Sequence, residues 1–234
     1  MNTMKKQGKD VTIKTSAIVA GFGLLVMAII APVANFQLLQ GLIIPGNASE
    51  TLKNIMDFEN RFRLAIMFNL VVAILDIVVA WALYIFLKPV NKSLSLLAAW
   101  FRIIYAALFI AALFNLVTVV QLVNGTGFGS VPETGQLESR VMLLIDNYFA
   151  GWDFALIVFG FHLMLIGYLT LKAGYMKKIL GILLIIASLG YLVDGIGKVL
   201  SPAYPIEIAL YTFIGEVVLI FWLLIKGWKT GEAK

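Results

Sequence analysis

Leu64 to Leu87 reads LAIMFNLVVAILDIVVAWALYIFL, and Leu96 to Leu122 reads LLAAWFRIIYAALFIAALFNLVTVVQL. Each run exceeds the roughly 18 apolar residues that mark a membrane-spanning helix. Each also carries one charge in its interior, Asp76 in the first and Arg102 in the second. The joint between them, Lys88-Pro89-Val90-Asn91-Lys92-Ser93, is too short to do anything but return the chain antiparallel. The two helices are therefore neighbours. At about 1.5 Å per residue from the joint, Asp76 lies roughly 17 Å deep and Arg102 roughly 12 Å deep, a gap that one arginine side chain spans.

The rest of the chain has the same character. Hydrophobic residues make up 61% of the 234 positions and charged residues 13%, with mean hydropathy +0.96, which excludes a soluble domain. The net charge of +5 does not point to nucleic acid, because the basic residues flank apolar runs rather than share a soluble face with aromatics. The chain has no cysteine and one histidine, which rules out disulfides, thiolate chemistry and polyhistidine metal centres.

Periodicity and punctuation predict an all-α, polytopic transmembrane helical bundle. Its six spanning helices are expected at about 16–39, 63–87, 94–122, 142–171, 178–200 and 205–228, between a basic N-terminal segment at 1–15 and a tail at 229–234. The first helix is expected to kink at Pro32, with Ala17, Gly21, Ala28, Ala31 and Asn35 as a small-residue stripe. A surface helix is expected over 50–62 and an exposed loop over 123–140. Lys5, Lys6, Lys9, Lys14, Lys88, Lys92, Lys172, Lys177, Lys178, Lys226, Lys229 and Lys234 fall on one side of this threading. The other side holds Lys53, Arg61, Arg63, Arg140 and Lys198, so the positive-inside rule puts both termini in the cytoplasm. Asp76 and Asp194 occupy similar fractions of helices two and five, but no residue-level similarity supports an inverted repeat.

The intramembrane ionisable residues are the candidate functional residues, because each costs about 2.5 to 3.5 kcal/mol at a helix centre unless a partner or water meets it. An inner polar cluster is expected from Asp76, Arg102, Glu216, His162 and Tyr105. Asp76 shares a stripe with Ala65, Asn69, Ala73, Ala80 and Tyr84, which turns it toward protein. His162 lies nearly opposite the stripe Asp146, Ala150, Asp153, Gly160 and Gly167, and so faces a different helix. Glu216 has no base nearby on its own helix, leaving it neutral, solvated by a cavity, or paired with Arg102. An outer layer is expected from Asp153, Asp194 and Lys198.

Plainer readings stand beside these. Asp76 with Arg102 fixes hairpin register, Asp194 with Lys198 forms an i,i+4 pair, and His162 is a packing residue. No nucleophile-elbow, zincin, P-loop or dinucleotide motif is found, and no cofactor is expected. A metal site from Asp76, His162, Glu216 and Asp153 is disfavoured by depth and facing.

The segment GFHLMLIGYL at 160–169, with Lys172, Gly174-Tyr175, ILGILL at 179–184 and LGYL at 189–192, resembles an uncharacterised prokaryotic membrane family labelled domain of unknown function 4386. Arg63 and the hairpin from Asn69 to Ile103 are similar to it too. The resemblance implies a small polytopic bundle in a prokaryotic cell membrane, and no catalytic residue.

Three functions remain open. The first is binding or transport of a proton, ion or small amphiphile in an intramembrane polar cavity. The second is an intramembrane enzyme acting on a lipid or isoprenoid, with a carboxylate as general base. The third is a structural or sensory membrane partner. The lipid bilayer is the expected surrounding, nucleic acid is not an expected partner, and the small-residue stripes leave room for an oligomer.

Overall fold

A chain this apolar can satisfy its backbone in a bilayer only inside helices or a closed barrel. The computed structural model describes residues 11–126, 134–201 and 204–229, and these are helical without strands. The expected N-terminal segment up to residue 10, the centre of the 123–140 loop and the tail beyond residue 229 lie outside the described residues.

Helix α1 (Ile13–Pro32) starts at Thr12, whose side chain accepts the Thr15 amide. The expected kink at Pro32 takes the form of a change in winding. The chain continues as a π-helical segment (Val33–Leu39) and a 3-10 turn (Gln40–Leu42). Within the wider turn, the Asn35 side-chain amide donates to the Ala31 carbonyl at 3.0 Å, occupying an acceptor in the helix around the proline. Helix α2 (Ala48–Asp57) is short and capped by Asn47, which accepts the Glu50 amide. It ends at Phe58, so residues 59–62 join the spanning helix instead of the expected surface helix.

The hairpin is α3 (Glu59–Leu87) and α4 (Lys92–Val123), with Asn91 capping α4 through the Leu94 amide. Helix α5 (Thr134–Lys172) begins inside the stretch expected as loop. Helix α6 (Lys178–Leu200) matches its expected bounds.

The expected last helix, 205–228, is shorter and broken. Residues 204–208 are not helical, and α7 (Ala209–Thr212) and α8 (Ile214–Ile225) are separated at Phe213, followed by a 3-10 turn (Gly227–Lys229). The cause is local competition for the backbone. The Asp194 carboxylate of α6 accepts the Ala209 amide at 2.7 Å and the Tyr204 hydroxyl at 3.2 Å, holding the segment against α6 instead of letting it wind. Among the described residues, five helices are long and apolar enough to cross a membrane: Ile13–Leu42, Glu59–Leu87, Lys92–Val123, Gly135–Lys172 and Lys178–Leu200. The α7–α8 unit, Ala209–Ile225, is an apolar helix of lesser length.

Neighbouring helices close a ring: α1 packs on α3, α3 on α4, α4 on α5, α5 on α6, α6 on α8, and α8 on α1. Small residues set the closest approaches. A methyl group on Gly167 would meet the Gly181 carbonyl at 2.9 Å, and one on Gly215 would meet the Leu183 carbonyl oxygen at 2.5 Å. The outside of the ring exposes Phe22, Ile29, Phe36, Trp100 and Phe114, an apolar belt suited to lipid. Gly227 packs near Ala17, and the Lys14 ammonium lies 5.1 Å from the Trp228 ring, so both ends of the described chain meet at one face of the bundle.

Candidate functional site

The hairpin brings Asp76 and Arg102 together inside the ring. Arg102 Nη2 is 2.7 Å from Asp76 Oδ1, and the two residues are 2% and 1% exposed. Arg102 Nη1 lies 3.2 Å from His162 Nε2, and His162 Nδ1 lies 2.8 Å from the Ala98 carbonyl oxygen. A carbonyl can only accept, so Nδ1 carries the proton, and Nε2 is left as a bare acceptor for the guanidinium. The chemistry of the two partners thus fixes one neutral tautomer. His162 faces α4, whereas Gly160 and Gly167 on the other side of α5 face α6 at Ser188 and Gly181. The Phe159 ring completes the enclosure, its centre 5.3 Å from the guanidinium carbon.

The ion pair is close, but not every polar atom in it is met. Neither Asp76 oxygen nor Arg102 Nε has a hydrogen bond among the described residues. A buried pair in this condition is a costly one, since Coulomb attraction offsets desolvation only when the remaining lone pairs and protons are also met.

Tyr105 is buried one turn from Arg102, between Phe109 and Phe159. Glu216 on α8 is partly buried, and its Oε1 accepts the Tyr191 hydroxyl of α6 at 2.9 Å. It does not bond Arg102 directly, but it stands close enough to Arg102 and Asp76 for their charges to interact. Among the described residues no three acidic or histidine side chains gather in a metal-binding geometry.

The other expected layer lines a cavity of about 600 Å3, open to one side, between the π-helical end of α1, α5, α6 and the segment leading into α8. Asp153, Asp194 and Lys198 all face it, with Trp152, Tyr191 and Glu207. The expected i,i+4 pair of Asp194 with Lys198 is replaced. Lys198 Nζ meets Asp153 Oδ1 at 2.9 Å, because the Asp194 carboxylate is already engaged by Ala209 and Tyr204. Tyr191 belongs to both parts, lining the cavity and holding Glu216.

Residue patterns alone did not single out Tyr191, Trp152 or Glu207. A third group went unrecognised as a unit: Asn35 and Asn69 exchange side-chain hydrogen bonds at 3.1 and 3.3 Å, and the Tyr148 hydroxyl donates to Asn35 Oδ1 at 3.0 Å. These three buried residues tie α3 and α5 to the π-helical segment.

A family model described as "Domain of unknown function (DUF4386)" matches residues 19–227. A protein of Archaeoglobus fulgidus, described as "Uncharacterized protein", is 41% identical over 161 residues, covering 69% of this chain and 82% of that one. No solved structure matches the chain.

Proposed function

The chain belongs to the DUF4386 family, and on that premise we propose that it is a multi-pass protein of a prokaryotic cytoplasmic membrane that binds and moves a small cationic amphiphile or cation. The face carrying Lys14, Lys88, Lys92, Lys177 and Lys226 is then cytoplasmic, with the α7–α8 unit completing a sixth crossing. The relative in Archaeoglobus fulgidus supports the prokaryotic setting.

One observation carries the reading: the large cavity presents three carboxylates, Asp153, Asp194 and Glu207, against one ammonium, Lys198, between apolar walls that include Phe36, Phe149 and Leu156. Its volume of about 600 Å3 falls in the range of small-molecule sites, roughly 300 to 1,000 Å3. Excess acid selects a cationic head, and the apolar lining selects a greasy body. Behind the cavity, Tyr191 donates to Glu216, and this carboxyl, close enough to Arg102 and Asp76 to interact with their charges, is the group proposed to couple movement to a proton.

An isosteric ion pair tests the charge selection. Detergent-solubilised protein is titrated with tetraphenylphosphonium and, separately, tetraphenylborate. Binding of the cation at least about tenfold more tightly, a difference of roughly 1.4 kcal/mol, is expected, and Glu207→Gln should narrow it. Equal affinity for the two ions, or none for either, would refute the reading. In proteoliposomes, Glu216→Gln should leave cation binding intact while uncoupling uptake from a pH gradient.

A second reading rests on Asp153, whose carboxylate lies in the open cavity 2.9 Å from Lys198, an arrangement that can serve as a general base toward a lipid or isoprenoid. Turnover of membrane lipids by purified protein, lost in Asp153→Asn and read by mass spectrometry, would favour this enzyme over the binding protein.

A further inference from the structure

A second cavity, of about 510 Å3, opens at the face where both ends of the described chain meet, between α8 and the turn joining α5 to α6. Lys177, Lys226 and Lys229 stand around it, all exposed, and among the described residues no acidic one lines it. None of the three forms an ion pair with another described residue. Lys229 also stands 5.2 Å from the Trp228 ring, but none of the three has a described counter-charge, so the rim attracts an anion.

The walls are preformed. Tyr175 donates its hydroxyl to the Phe86 carbonyl at 2.9 Å, pinning the turn, and the Phe86 ring stands 5.5 Å from Tyr175 and 6.0 Å from Trp222. Lys177 directly precedes α6 and makes no side-chain cap, so the first amides of that helix add positive potential at the same end. Exposed Ile225 lines the cavity beside Trp222, which puts an apolar surface next to the charged rim.

We propose that this cavity binds the phosphate headgroup of an anionic membrane lipid. The lysines take the phosphate as point charges, Trp222 and Tyr175 sit where aromatic side chains favour the headgroup level, and Ile225 leads the acyl chains outward. Ile225 favours a lipid over a soluble phosphate, which has no use for an apolar exit. The proposal is independent of the acidic cavity, which lies toward the other end of α6 and selects the opposite charge.

The test titrates solubilised protein with three probes: dihexanoyl phosphatidylglycerol, dihexanoyl phosphatidylcholine and inorganic phosphate. Saturable binding of the phosphatidylglycerol alone is expected. It should weaken about fivefold per lysine in Lys226→Gln and in the combined Lys177→Gln, Lys226→Gln, Lys229→Gln variant, with affinity falling as salt is raised. The control variant Lys88→Gln, Lys92→Gln, Lys172→Gln removes equal charge outside the cavity and should bind as wild type. Equal loss in the control, unchanged binding in Lys226→Gln, or equal binding of phosphatidylcholine would overturn the site. Equal binding of inorganic phosphate would overturn the lipid as its ligand.

Discussion

Replacing Arg102 and Asp76 singly and together gives the most direct reading of the buried pair. In Arg102→Met the Asp76 carboxylate, 1% exposed, loses its only cation within 4 Å among the described residues. His162 Nε2 loses its donor at the same time. In Asp76→Leu the guanidinium keeps His162 and the Phe159 ring but loses its counter-charge. Breaking one partner of a buried pair costs about 3 to 5 kcal/mol, because the survivor is left charged in a low-dielectric site. For a chain of this length that corresponds to a melting shift of about 6 to 20 °C. The double variant removes both charges and leaves chiefly the unmet His162 nitrogen, at about 1 to 3 kcal/mol. It should therefore be more stable than either single variant. Thermal melts and SDS titrations in one detergent measure all four proteins. A double variant whose loss equals the sum of the single losses would show that the two charges do not interact, and the inner cluster would fall with them.

Three further outcomes follow from the packing and the polar contacts. Gly215→Ala places a methyl 2.5 Å from the Leu183 carbonyl oxygen and 2.7 Å from its carbon; backbone cannot yield as a side chain can, so about 1 to 3 kcal/mol should be lost in the same melts. Asn35→Leu strands Asn69 and the Tyr148 hydroxyl, and the cost of about 1 to 3 kcal/mol should shrink when Tyr148→Phe is added, as a double-mutant cycle reports. Burial pushes the Tyr175 phenol, in the turn between α5 and α6, up to about 12. The unfolded phenol ionises near pH 10, so its contribution is complete below that and is lost as pH rises from 10 toward 12. Tyr175→Phe should flatten this alkaline loss in pH-dependent melts, and an unchanged slope would refute it.

Much of the architecture was written in local pattern. Apolar runs bounded by lysine, proline and asparagine determine the end of α3 and both ends of α4 and α6 to within two residues, because a helix in lipid meets its own hydrogen bonds and hydropathy is a property of neighbours in the chain; the start of α3, four residues earlier than expected, is not marked in this way. The short joint after Leu87 likewise dictates that Asp76 and Arg102 share an interface. The last helix departs from its local pattern for a reason of the opposite kind: the residues from 204 to 209 are apolar enough to wind, but a carboxylate fifteen positions upstream claims the Ala209 amide.

Tertiary structure alone decided which faces meet. Nothing in the order of residues joins His162 to Arg102, Tyr191 to Glu216 or Asn35 to Tyr148, since each pair depends on how two helices are rotated and how closely glycines let them approach. The acidic cavity is assembled from α1, α5, α6 and the non-helical stretch before α7, segments far apart in the chain. The sequence by itself determined that charges would be buried in a helical bundle. Helix rotation and the position of the break before α8 decided which charges compensate one another and which are left facing open space.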